Sequence, residues 1–145
     1  MPRFKLGRKA TLHYGDTDGE TVGSLTEAGN VKDVTVNLGS ATADATTRDN
    51  GGWRATAQTL KEAGVEFSLE ARPGDDFFET LRDAYLSAEP IGMKVLDGPS
   101  GDGDGPVGDW VVTDISRSEE LEGTVVYSVT CAMSRFEEWE EATAA

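Results

Sequence analysis

Two short alternating strands separated by a long polar insert constrain this chain more than any other feature. Val31 to Leu38 places Val34, Val36 and Leu38 on one face, and Val65 to Glu70 places Val65, Phe67 and Leu69 on one face. The stretch between them, residues 39–64, runs about two dozen residues without sustained helical or strand periodicity. Connections in compact domains are usually far shorter, so such an insert is functional or disordered. Thr47-Arg48 and Gly52-Trp53 argue against disorder, because a disordered linker carries no aromatic anchor. The insert is therefore expected to be a loop that orders against another copy of the chain. Large aromatics and Arg are the residue types enriched at the centres of interfaces, which favours an inter-subunit role for Trp53 over burial in its own domain.

The rest of the chain punctuates into strands and one helix. Ala10 to Tyr14 alternates like a strand, and Asp16 to Glu20 is turn-rich. Pro73-Gly74 marks a break before Asp75 to Ala88, where Phe77, Leu81, Ala84, Tyr85 and Ala88 recur at helical spacing. Asp75 is placed to cap that helix, with Asp76 and Glu79 in its positive first turn, and Pro90 follows its end. Strands are predicted over Ile91 to Leu96, Trp110 to Ile115 and Thr124 to Met133, with a hairpin turn at residues 119–123. The Gly- and Pro-rich run 97–109 is predicted to be a flexible loop. The sum is an α+β, mainly β fold: a sandwich or barrel of about six or more strands with one packed helix. Residues 1–136 form the expected single domain, and residues 137–145 an acidic tail that frays.

Charge and composition exclude several functions. Thirteen basic and 27 acidic residues give a net charge of −14, which opposes tight binding to phosphates. It does not oppose a surface past which DNA must slide. Cys131 is the only cysteine, so neither an intramolecular disulfide nor a thiolate metal cluster can form. No apolar run is long enough to span a bilayer, and the basic start lacks the apolar stretch of a secretory signal. His13 is the only histidine and sits in a strand-like pattern, and no nucleophile elbow, phosphate-binding loop or zinc-protease helix occurs. No enzyme activity, cofactor or metal is expected. Asp16, Asp18, Glu20 and Glu27 fall at calcium-loop spacing, but Thr21 stands where glycine is required. Asp97, Asp102, Asp104 and Asp109 form a second acidic set, interrupted by Pro106.

The segments V-K-D-V-T-V-N-L, A-D-A-T-T-R-D-N-G-G-W, V-E-F-S-L-E, the helix D-D-F-F-E-T-L-R-D-A-Y, P-I-G-M-K-V-L-D-G and E-L-E-G-T-V-V-Y-S-V-T occur in an order that resembles the tail tube (major tail) proteins of long-tailed bacteriophages. The resemblance spans about Lys5 to Met133 and implies a virion structural protein whose rings, usually hexameric, stack into a tube for genome ejection. It further implies that the 39–64 loop reaches the adjacent ring, with Asp44, Thr46, Thr47, Arg48, Trp53 and Leu60 as inter-subunit residues, and that the N-terminal arm helps the stacking. The implied partners are further copies of the chain and tail assembly proteins such as initiator, terminator and tape measure. DNA would pass through the lumen without specific binding, and no membrane is involved. The implied location is the virion tail, after synthesis in the host bacterial cytoplasm. Two alternatives stand beside it: the inner tube of a contractile tail or type VI-like injection system, and a monomeric acidic calcium- or ligand-binding module.

Overall fold

The computed structural model describes residues 10–98, 103–119 and 121–141. Seven strands and one helix follow one another as β1 (Thr11–Thr17), β2 (Val22–Glu27), β3 (Val31–Asp44), β4 (Thr56–Glu70), α1 (Asp76–Ser87), β5 (Ile91–Leu96), β6 (Gly105–Glu119) and β7 (Val125–Glu140). All seven strands lie in one antiparallel sheet of order β2-β1-β5-β6-β7-β4-β3. The mainly-β fold with a single helix is as read from the sequence.

The sheet is curled around α1. Phe77 packs its ring 4.6 Å from Tyr14 on β1 and 5.6 Å from Phe67 on β4. Those two strands are four places apart in the sheet, about 19 Å if it were flat. One ring can touch both only if the sheet bends over the helix, so a barrel-like core arises from a single sheet. Phe77, Leu81 and Ala84 are the buried positions of α1, and Phe78 stacks on Tyr127 of β7 at 4.1 Å. Tyr85 and Ala88, expected on the buried stripe, are exposed instead. The helix starts as predicted, with the Asp75 carboxylate accepting the Phe77 N–H. It ends on Ala88 in the left-handed region (φ 59°).

Four sequence expectations need correction. First, residues 39–64 are mostly strand, not loop: β3 and β4 stay paired from Gly39↔Glu62 out to Asp44↔Thr56, leaving only 45–55 as the connection. Alternation is invisible there because both faces of this two-stranded arm are exposed, so no apolar period is needed. Second, residues 105–109 form the buried start of β6. Their glycines serve close packing rather than flexibility: a Cβ on Gly105 would overlap the Val95 carbonyl oxygen, and one on Gly108 that of Arg135. Third, the acidic tail is ordered through Glu140, where β7 pairs with β6 from Gly105↔Glu140 to Val107↔Glu138. Irregular register between Val107 and Gly108 breaks the period that would have identified it; residues 142–145 lie outside the described residues. Fourth, β2 is an additional strand, legible only weakly because it is an edge with little buried surface.

Two buried polar groups sit among the strands, and the first ties them together. Asp109 on β6 is almost fully buried and accepts two hydrogen bonds from Arg135, at 2.9 and 3.1 Å. Arg135 also donates to Glu137, whose carboxylate accepts the Val22 N–H of β2 at 2.8 Å. Burial alone would raise the Asp109 pKa; the hydrogen bonds from Arg135 and Thr17 outweigh it and hold it below the usual carboxylate value. His13 is 6% exposed, and its Nδ1 has no hydrogen-bond partner among the described residues. Burial, aided by the Lys94 charge, lowers its pKa against the opposing pull of Glu27 and Glu140. The imidazole is thus neutral at pH 7, and its 3.9 Å approach to Glu27 is not an ion pair.

Two predictions follow from this packing. Ala88→Gly relieves a left-handed Cβ and stabilises the protein by about 1 kcal/mol, read as a rise in melting temperature of roughly 2–4 °C. Because the folded-state pKa of His13 lies below its unfolded value of 6.5, the unfolded chain takes up the proton first as pH falls. Stability is therefore lost between pH 6.5 and that lower pKa. His13→Gln is expected to lose less melting temperature than the wild type between pH 7 and pH 5, and parallel curves would contradict this account.

Candidate assembly surface

The β3–β4 arm carries its side chains outward because it lacks a core of its own. Beyond Ala63 every residue of β4 toward the tip is exposed, as is every residue of β3 beyond Val36. Its connection is nevertheless locally organised. The Asp44 carboxylate accepts the Thr46 N–H (2.9 Å) and its hydroxyl, and the Thr46 Oγ1 accepts the Ala55 N–H (2.9 Å). These bonds, the Thr46 hydroxyl foremost, lower the Asp44 pKa. Thr47 begins a single 3₁₀ turn, Arg48–Asn50, and donates its hydroxyl to the Asn50 side chain at 3.1 Å. The Trp53 N–H donates to the Asn50 carbonyl (3.0 Å), closing the turn through Gly51 and Gly52, both at positive φ.

That geometry presents Trp53 to solvent at 80% exposure, flanked by exposed Arg48 and Arg54. Asp44, Thr46, Thr47, Arg48 and Trp53, singled out from the sequence, are thus brought together at the tip. Leu60, also 80% exposed, stands apart, on the shaft of the arm. The expectation for the N-terminal arm concerns residues 1–9, outside the described residues.

A second apolar surface was not anticipated. The pairing of β4 with β7 stops at Gly64↔Ala132, and beyond it the arm and the end of β7 diverge as a fork. A groove of about 660 Å³ lies in this fork, its apolar wall made by Leu38, Ala63, Pro106, Met133, Phe136 and Trp139 and its polar rim including Lys61, Glu62 and Arg135. Phe136 and Trp139 are 57% and 44% exposed. Phe136 beside the acidic tail and Trp139 within it were the available signal.

The acidic sets do not converge on a cation. Asp18 accepts the Glu20 and Thr21 N–H groups in the β1–β2 turn, which lowers its pKa. Glu27 pairs with His13 at the other end of that hairpin. Asp97 accepts the Asp104 N–H, Asp109 is held by Arg135, and Asp102 lies outside the described residues. Among the described residues no three His, Cys, Asp or Glu side chains gather in a way that could hold a metal, and no helix is long and apolar enough to cross a membrane.

Comparison with known proteins agrees with the architecture. No curated protein sequence matches the chain. Among solved structures, the tail of an empty gene transfer agent particle, refined helically with C6 symmetry, matches with a TM-score of 0.73 at 19% identity, covering 97% of this chain and 100% of that one. The SPP1 tail tube matches with a TM-score of 0.68 at 16% identity over 90% of this chain and 76% of that one. A chain of the anti-feeding prophage baseplate matches with a TM-score of 0.63 at 2% identity, covering 99% and 100%. At these identities the likeness concerns the fold. The sequence profile of the phage tail tube proteins matches residues 8–134, nearly the whole of the described sheet and helix, and the chain belongs to that family of structural tail proteins.

Proposed function

We propose that copies of this chain close into hexameric rings, and that the rings stack into a tube conducting DNA, with the β3–β4 arm as the stacking element. The observation that carries this reading is the arm itself: a preorganised tip holding Trp53 out in solvent, on a ribbon with no core of its own. Asp44, Thr46, Thr47, Arg48, Trp53 and Leu60 are its contact residues. The two outer strands β2 and β3 leave open edges; head-to-tail pairing of such edges around a ring removes an aggregation hazard. The six-fold symmetry of the gene transfer agent tail supports the hexamer. Repeated around a ring, the −14 charge of each copy creates a field that keeps phosphates from adhering to the lumen.

On this reading the protein acts by assembly and catalyses nothing. It is made in the host cytoplasm, and initiator, terminator and tape-measure proteins are its further partners. The matches to anti-feeding prophage chains support a second reading, the inner tube of a contractile or type VI-like device, though with lower TM-scores.

Negative-stain electron microscopy of the concentrated protein at moderate salt is expected to show uniform tubes with a central channel. Trp53→Ala, or deletion of Thr46 to Trp53, should reduce tube yield at least tenfold while leaving the melting temperature within about a degree of wild type. Normal tubes from either variant would overturn the stacking role of the arm.

A further inference from the structure

The tip of the arm holds the one Asn-Gly pair in the chain. The asparagines are Asn30, Asn37 and Asn50, followed by Val31, Leu38 and Gly51. The backbone nitrogen of the next residue can attack an asparagine side chain and close a five-membered imide on it. A side chain on that next residue obstructs the approach, and glycine has none. Regular structure obstructs it as well, because it fixes the backbone away from the closing geometry.

Asn30 and Asn37 are protected on both counts. Asn30 is buried, its side-chain amide donates to the Glu70 carbonyl and the Asp75 carboxylate, and β-branched Val31 follows it. Asn37 lies within β3, opposite Gly64 of β4, with Leu38 after it. Asn50 differs. It is the last residue of the 3₁₀ turn and half-buried, and Gly51 and Gly52 after it stand at φ 61° and 88°. A Cβ built on either glycine would meet nothing within 4 Å. No neighbour covers this stretch, so base and water reach the Gly51 nitrogen and the backbone is free to rotate.

The Asn50 side chain is also activated. Thr47 donates its hydroxyl to the side-chain carbonyl oxygen at 3.1 Å, which draws electron density from the carbon that the Gly51 nitrogen attacks. The main-chain carbonyl of the same residue accepts the Trp53 N–H at 3.0 Å and so closes the turn beneath the exposed indole. The residue open to reaction is thus the one that latches Trp53.

We propose that Asn50-Gly51 is a self-modification site whose conversion unlatches Trp53. The Gly51 nitrogen loses its proton to base and bonds to the Asn50 side-chain carbonyl carbon. The bond from that carbon to the side-chain nitrogen breaks, and the nitrogen takes up a proton and leaves as ammonia. Water then adds to either carbonyl of the succinimide and opens it, giving aspartate or isoaspartate with no change of oxidation state. In isoaspartate the chain runs on through the former side-chain carbonyl, and the carbonyl that accepted the Trp53 N–H becomes a free carboxylate. The turn gains one backbone atom, and a new negative charge lies between Arg48 and Arg54. The consequence rests on the reading that the tip stacks rings: subunits left unassembled lose the competence to stack as they age, whereas a tip covered in a ring contact is shielded from water.

The test keeps the full chain dilute and at low salt in warm, mildly alkaline buffer and digests samples with trypsin over time. Cleavage after Arg48 and Arg54 isolates Asp49 to Arg54, D-N-G-G-W-R. That peptide is expected to gain the mass of amide-to-acid conversion at least tenfold faster than the peptides carrying Asn30 or Asn37. Asn50→Gln, which would have to close a six-membered ring, should show no gain over the same interval. A synthetic D-N-G-G-W-R peptide run alongside reports the rate without the fold. A folded chain that reacts more than tenfold slower than this peptide, or no faster at Asn50 than at Asn37, would overturn the site. Tube yield from aged wild type is expected to fall with the modified fraction, while aged Asn50→Gln keeps the yield of its own fresh sample. Mass gain without that fall, in a preparation whose Trp53→Ala variant makes no tubes, would overturn the unlatching. Normal tubes from Trp53→Ala would instead remove the stacking role of the arm, and the mass gain alone would then sustain the site.

Discussion

The curl of the sheet around Phe77 is the constraint on which the rest depends. A seven-stranded antiparallel sheet has too little helix available, one element of three turns, to cover a flat face. By bending until β1 and β4 both reach the same ring, the sheet becomes its own second layer, and the single helix suffices as a plug. Burying a ring of that size contributes about 2 kcal/mol, and the ring also determines where the strands point. Once the sheet is curled, β3 and β4 leave the body as an unsupported ribbon and the end of β7 leaves beside them, which opens the fork. The arm and the groove are thus two consequences of one packing decision.

An isolated two-stranded ribbon is marginal in water. The arm persists because its strands are continuous with those of the sheet: β4 is buried at Val65, Phe67 and Leu69 before it becomes exposed, so register is fixed at the base and carried outward. Irregularities between Lys32 and Thr35 and between Ser40 and Thr42 bend it on the way. Asp33 at the first of these has φ 55°, a conformation that costs most residues about 1 kcal/mol and Asp somewhat less. Local order at the tip comes from side-chain bonds rather than burial, which is why the tip can hold a tryptophan in place and still leave it uncovered.

Sequence patterning was informative where burial and periodicity coincide. The helix was legible to within a residue at both ends, because its cap, its acidic first turn and its apolar spacing all agree. The inward faces of β4, β5 and the first half of β7 were legible for the same reason. What escaped were segments whose structure is not encoded by an apolar period. The arm is exposed on both faces, β2 is an edge, Gly105 and Gly108 are present to admit neighbouring carbonyls, and Glu137 to Glu140 form a strand whose outer side chains are acidic. The tip residues could be nominated from Arg, Trp and glycine in one insert. The fork could not, because its walls come from four strands distant in sequence, and only Phe136 and Trp139 hinted at it.

On the proposed reading, charge reconciles open strand edges with a subunit that stays dispersed before it assembles. The chain, at −14, repels its copies at separations up to the Debye length, about 8 Å at physiological salt. Main-chain pairing and the burial of apolar side chains act only at contact. Raising ionic strength weakens the first far more than the second, so the barrier to association is salt-dependent while the contacts themselves are not.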